Sequence, residues 1–151
     1  MKNDTRYRLH HSLGYHLSIA ARLQERQLDE NLKTLGLTRT TWCILLAAGN
    51  ENLAQPSEIA KFIGIDRTAT SRALRVMEAD GLLARSNGTQ DRRTRHVILT
   101  DKGRGLIRKG TPFARENAAA LSAALSPTEE AELERLLLKL STALEGPLKT
   151  L

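Results

Sequence analysis

Six arginines of this chain fall into two groups, and grouped guanidiniums are anion-binding chemistry. Arg67, Arg72 and Arg75 share the stretch DRTATSRALRVMEADG with Thr68, Ala69 and Ser71, while Arg92, Arg93 and Arg95 follow Gln90 and Asp91 in LLARSNGTQDRRTRHVILT. The planar arginine fork matches guanine O6 and N7 bidentately and also pairs with phosphate. Short residues such as Ala69 and Ser71 let a helix backbone approach a groove floor. Three like charges crowded at 92–95 repel one another, so their spacing makes most sense with phosphate as the counter-charge. Asp91 is the exception in sign: it either holds Arg93 in a fixed fork or, as turn aspartates do, bonds its own backbone.

The elements that must position these groups can be read from spacing. At about 100° per residue, Thr70, Ala73, Leu74 and Met77 fall on one side of a helix and Thr68, Ser71, Arg72, Arg75 and Ala79 on the other. Asp66 is placed to cap it. The preceding QPSEIAKFIG predicts a short helix with Ile59, Phe62 and Ile63 as its apolar stripe and Gly64 at a sharp turn. The following arginine-rich segment predicts a hairpin, in which Asn87-Gly88 supplies turn chemistry. Helix, turn, helix and basic hairpin form an arrangement that fits duplex DNA, one helix entering the major groove and the hairpin reaching the backbone or minor groove.

Charge supports the same segment. From Ser57 to Thr111 there are twelve Lys and Arg against six acids, so the whole net charge of +6 resides there. Such a surface is an electrostatic footprint for nucleic acid. With 151 residues the chain has the size of one domain. One cysteine, Cys43, excludes an internal disulfide framework. The absence of a long apolar run and of a signal peptide makes cytoplasm the expected location, with no membrane partner.

Outside the basic segment the chain reads as helices. Leucines from Leu9 to Leu35 recur at helical spacing, predicting one long helix or one broken near Gly14. Gly36 is a stop and Thr38 a cap for a helix carrying Trp42, Ile44, Leu45 and Leu46. Thr100 and Asp101 open a helix running towards Leu125, with Gly110 and Pro112 expected to bend it. Ser126-Pro127-Thr128-Glu129 starts a last helix bearing Leu133, Leu136, Leu137, Leu140 and Leu144. These terminal helices either pair with a second copy or fold back on their own chain, and symmetric pairing suits a twofold reader of DNA.

Residue by residue, DRRTRHVILTDKG resembles the wing and following helix start of the MarR (multiple antibiotic resistance regulator) family. ATSRALRVMEADGLLAR resembles that family's recognition helix and exit strand, and LGLTRTTWCILLAA its second helix, most closely in the SlyA-like branch. The resemblance covers nearly the whole chain. It implies a mainly α, winged helix-turn-helix fold of about six helices with a small β-hairpin wing, forming a homodimer through N- and C-terminal helices. In that frame 1–151 is a single domain, 37–100 the DNA-binding part, and 5–35 with 101–146 the dimerisation helices. It also implies a transcriptional regulator, a repressor on pseudo-palindromic operators in double-stranded DNA, released by a small amphipathic or phenolic effector. Thr68, Ser71, Arg72 and Arg75 match recognition-helix positions, flanked by Arg67 and Ala69, and Asp91 with Arg93 matches the wing's acid-x-arginine motif. The alternative is a winged-helix protein-interaction module, an anti-regulator without specific DNA binding, which should show apolar or aromatic anchors on the recognition face.

Other chemistries have little support. The chain lacks the first-helix cysteine that peroxide-sensing relatives share, and Cys43 follows Trp42 in an apolar helix with no neighbouring cation in sequence. His10, His11 and His16 lack the spacing of three or four that would put two ligands on one helical face, so no metal is expected. Gly103-x-Gly105 opens a helix after a strand, but Arg108 occupies the third position of a dinucleotide fingerprint. No cofactor, nucleophile or general base follows from spacing, and no enzyme is expected. Tyr15, His16, Trp42 and Phe113 are candidates to line an effector pocket between the dimerisation helices and the winged part, or alternatively belong to the core.

Overall fold

The computed structural model describes residues 6–87, 95–144 and 146–151, apart from the Asn87 side chain. A short 3-10 turn, Leu9–His11, precedes α1 (Leu13–Thr34), followed by α2 (Arg39–Gly49), α3 (Pro56–Ile63) and α4 (Arg67–Ala79). Strands β1 (Leu83–Asn87) and β2 (Arg95–Leu99) come next, then α5 (Asp101–Ser122) and α6 (Pro127–Ala143). The six helices and single hairpin are those implied by the family resemblance.

Local chemistry sets most boundaries. Of the two readings of 5–35, the broken helix is the one observed, because the Ser12 hydroxyl accepts from the Tyr15 N–H at 3.3 Å and starts α1 there. At the other end Gly36 takes φ +73°. The Gly36 N–H then donates to Lys33 O and the Leu37 N–H to Leu32 O, each at 3.0 Å. This pairs the last carbonyls of α1 as a Schellman ending does. Thr38 with Thr41, and Ser126 with Glu129, close reciprocal capping boxes at the starts of α2 and α6.

The core lies where α2, α3, α4 and the hairpin meet. Leu32, Leu37, Trp42, Ile44, Leu45, Ile59, Leu74, Met77, Leu83 and Val97 are buried there. Burial on α3 corrects its expected stripe: Ile59 and Ala60 face the core and Ile63 is half-buried, but Phe62 is 57% exposed. The Phe62 side chain leaves the stripe because Ala60, not Phe62, shares the inward face with Ile59.

The strands pair antiparallel with Leu83 opposite Leu99 and Arg85 opposite Val97. Val97 N–H also donates to Ala54 O at 2.7 Å, seating the hairpin against the segment before α3. Helix α5 continues through Pro112. The missing amide removes one rung, and the neighbouring Thr111 hydroxyl donates to Ile107 O at 2.7 Å on the same turn. The helix ends at Ser122, before the Leu125 expected from sequence. Its two ends have different surroundings. Near the start, a Cβ on Gly103 would meet Leu82 O at 2.2 Å, and one on Gly110 would meet the Trp42 ring at 2.5 Å. Further along, Asn117 Nδ2 donates to Gln24 Oε1 at 3.1 Å, tying α5 to α1.

Helix α6 buries no side chain. Leu133, Leu136, Leu137, Leu138 and Leu144 are all exposed, as are Leu9, Leu13 and Leu23 at the other end of the chain.

Candidate nucleic-acid interface

Helix α4 is held at both ends by polar contacts that leave its outer face free. Asp66 Oδ1 accepts from the Ala69 N–H at 2.7 Å, the cap expected from sequence, and the Thr70 hydroxyl donates to Asp66 O at 2.9 Å. Gly64 takes φ +77°, the left-handed conformation the turn requires. Inside, Thr70, Leu74 and Met77 are buried; outside, Arg67, Thr68, Arg72 and Arg75 are exposed, with Ala69 and Ser71 half-buried among them. Three guanidiniums and a hydroxyl therefore share one solvent-facing surface. Val76, 54% exposed, adds an apolar edge that the helical wheel did not single out.

The hairpin is joined to this helix through charge. Glu78, the last residue but one of α4, accepts from Arg85 of β1 three times: from its backbone N–H at 3.2 Å, from Nε at 2.8 Å, and from Nη2 in a close ion pair. Hydrogen bonding to the Arg85 side chain, and its charge, hold the Glu78 carboxyl below the usual range. The fork therefore persists at neutral pH and is lost only as acid protonates Glu78 below its ordinary value. Sequence reading missed this pair, whose only signal was an acid and an arginine placed seven apart across the Gly81 turn. At the base of the hairpin, the Thr100 hydroxyl donates to Gly81 O and Lys102 Nζ to Asp80 O, both at 2.7 Å.

Of the predicted wing residues, Arg95 is exposed at the start of β2, beside the same unit. Gln90, Asp91, Arg92 and Arg93 lie outside the described residues.

The four aromatic candidates for an effector site have different surroundings. Trp42 is 3% exposed, with its ring over Gly110, so it belongs to the core. Tyr15 instead stacks edge-on with His10 and His16 at the start of α1, their ring centres 5.2 and 5.8 Å from its own. Phe113 is half-buried on α5. A groove of about 340 Å³ between α1 and α5 is lined by Ala20, Leu23, Gln24, Gln27, Asn117, Ala120 and Leu121, and none of the four aromatic candidates is among them. Burial pushes the Cys43 thiol up, against the opposing pull of the Arg39 guanidinium, which disfavours the reactive thiolate. Among the described residues, no group of three His, Cys, Asp or Glu could hold a metal, and no helix is long and apolar enough to cross a membrane.

Residues 35–94, which run from just after α1 to the residue before β2, match the family model described as MarR family. Over 119 residues the chain is 31% identical to the transcriptional repressor MprA of Escherichia coli K12, covering 78% of this chain and 68% of that one. This chain belongs to the MarR family. Two solved structures extend the likeness over most of the fold. Bordetella bronchiseptica BpsR, whose DNA binding is regulated by 6-hydroxynicotinic acid, superposes with a TM-score of 0.81 at 25% identity, over 89% of this chain and 96% of that one. A mutant MarR of E. coli, solved with operator DNA, gives 0.77 at 26% identity, over 85% and 92%. As a MarR-family member the protein is a DNA-binding transcriptional regulator and not an enzyme.

Proposed function

We propose that this regulator is a homodimeric repressor that reads a pseudo-palindromic operator with α4 and grips the flanking duplex with its wing. The observation that carries the reading is the outer face of α4, where Arg67, Thr68, Arg72 and Arg75 are exposed above a buried Thr70–Leu74–Met77 face. Arg72 lies midway along that face, beyond the small Ala69 and Ser71, so its guanidinium is the one assigned to base edges. Arg93 is assigned to phosphate or the minor groove, together with Gln90, Arg92 and Arg95, and Asp91 to orienting Arg93. Repression is supported by the likeness to MprA. The LGLTRTTWCILLAA stretch supports a place in the SlyA-like branch, and a DNA-binding role suits the cytoplasm.

The test separates reading from gripping, using a duplex recovered from a randomised pool by the unmodified protein. Arg72→Ala should lose about 1–3 kcal/mol on that duplex and much less on a scrambled one. Arg93→Ala should weaken both evenly and lower the salt slope by about one unit for each phosphate that is no longer neutralised. A uniform loss for Arg72→Ala with a selective loss for Arg93→Ala would reverse the two assignments.

Dimerisation rests on the leucines that α1 and α6 leave in water. Exposed apolar area costs about 25 cal/mol for each Å², and a twofold partner covers both helices at once. Sedimentation of the intact protein at micromolar concentration should give a dimer, and a stable, well-folded monomer would overturn this. An effector of amphipathic or phenolic character is supported by the 6-hydroxynicotinic acid response of BpsR.

A further inference from the structure

The last residues of the chain return to the turn that precedes the recognition helix. Leu148 forms a parallel bridge with Ile65. Its N–H donates to Gly64 O at 2.8 Å and its carbonyl accepts from the Asp66 N–H at 2.7 Å. The path is set by sequence: α6 is over by Leu144, Gly146 adopts φ +116°, and Pro147 stiffens the step into Leu148. The bridge rests on backbone, since the Leu148 side chain is 56% exposed.

Asp66 is the cap of α4, and cap N–H groups have no partner within their own helix. Here all of its backbone and side-chain groups are engaged: the N–H by Leu148, the carbonyl by the Thr70 hydroxyl, the carboxylate by Ala69. Between the two tail contacts Ile65 is 2% exposed. The tail therefore fixes the first turn of α4 from the outside. Arg67 and Thr68, the next residues, stay exposed. A segment that screened the reading face would bury them, so this one supports the helix without covering it.

We infer that the C-terminal tail is a positioning brace for the recognition helix, with the Leu148 backbone linking the chain beyond α6 to the cap of α4. The inference rests on the proposal that α4 reads base edges. Base contacts demand a fixed helix orientation, whereas phosphate contacts tolerate some play. Loosening the brace therefore lowers discrimination more than gripping. It removes no phosphate contact, so the salt slope stays the same.

The experiment compares the intact protein with Leu148→Pro, which deletes the N–H given to Gly64, and Leu148→Ala, which keeps it. Each is titrated against the pool-selected duplex and a scrambled one, and amide exchange at Asp66 is followed without DNA. For Leu148→Pro the expected result is a loss of about 3–10-fold on the selected duplex, the range of one hydrogen bond. Affinity for the scrambled duplex and the melting temperature should change little, Asp66 should exchange faster, and Leu148→Ala should match the intact protein. Slow exchange at Asp66 with unchanged discrimination in Leu148→Pro overturns the brace. So does tighter binding, which would make the tail a cover; an equal loss in both variants, which would point to the side chain; or a collapsed melt, which would make the tail a structural strut. If the intact protein itself fails to discriminate, the base-reading proposal has failed, and the exchange at Asp66 still decides whether the tail holds the cap.

Discussion

Raising salt from 50 to 200 mM should weaken binding to the selected duplex by about 10³–10⁵, because the two wings and two recognition helices of the proposed dimer would together engage on the order of 6–10 phosphates. The cations are concentrated on one segment: the excess of +6 arises wholly between Ser57 and Thr111, while the rest of the chain is balanced. Exposed Arg67, Arg72 and Arg75 carry part of it on one helix face, and Arg95 carries more at the hairpin. Ordinary surface charge spread over a protein would give a shallow slope. Fluorescence anisotropy across that salt range measures it, and a loss smaller than about tenfold would mean that the basic segment does not meet the phosphate backbone. The preferred duplex should also carry half-sites whose centres lie about 10 base pairs apart, so that both recognition helices enter one face.

The second large effect concerns two glycines that look interchangeable in sequence. Gly103→Ala should destabilise the protein by at least about 1–3 kcal/mol, because the new methyl would meet the Leu82 carbonyl at 2.2 Å and that carbonyl is backbone. The same oxygen accepts the Thr100 N–H at 3.1 Å, so it cannot retreat without loosening the start of α5. For a chain of this size the melting temperature should fall by roughly 3–10 °C. Gly105→Ala, two residues on, should do the opposite. A Cβ there meets only the far end of Arg108 at 3.7 Å, and alanine favours a helix interior by about 0.5–1 kcal/mol. Melting curves for the two variants check the pair, and equal shifts would remove close approach as the reason for Gly103.

Those glycines also show where sequence reading stops. Gly103-x-Gly105 could be set aside as a phosphate cradle from Arg108, but nothing in the spacing revealed the Leu82 carbonyl, because that contact joins the residue before β1 to the first turn of α5 across the whole hairpin. Signals that act within one turn were legible: the Asp66, Thr38, Thr100 and Ser126 caps, the Gly36 and Gly64 turns, and the division of α4 into buried and exposed faces. Phe62 was misread because a stripe fitted to an eight-residue helix can be satisfied by either of two neighbouring faces. For Trp42 the sequence left pocket and core as alternatives, since an aromatic side chain's neighbours depend on residues such as Gly110, far along the chain; its ring is buried over that glycine. The Glu78–Arg85 fork and the Leu148 bridge are likewise products of folding, joining partners whose approach no periodicity encodes.

Helix α5 behaves as an axle. At about 1.5 Å per residue its 22 residues span roughly 33 Å. Its near half is seated twice, where Gly103 lets it touch the Leu82 carbonyl and Gly110 lets it pass beneath the Trp42 ring. Two seats remove the play that one would leave, so any turn of the near half would carry the winged part, the proposed reading head, with it. The far half extends about 18 Å beyond Gly110, and a sideways shift of about 2 Å at its tip tilts the axle by roughly 6°. In the proposed dimer, a rotation of that size would re-aim Arg72 in one copy relative to the other, although nothing had touched either. A small molecule wedged far from the DNA could thus release it by changing the toe-in of two otherwise unaltered heads.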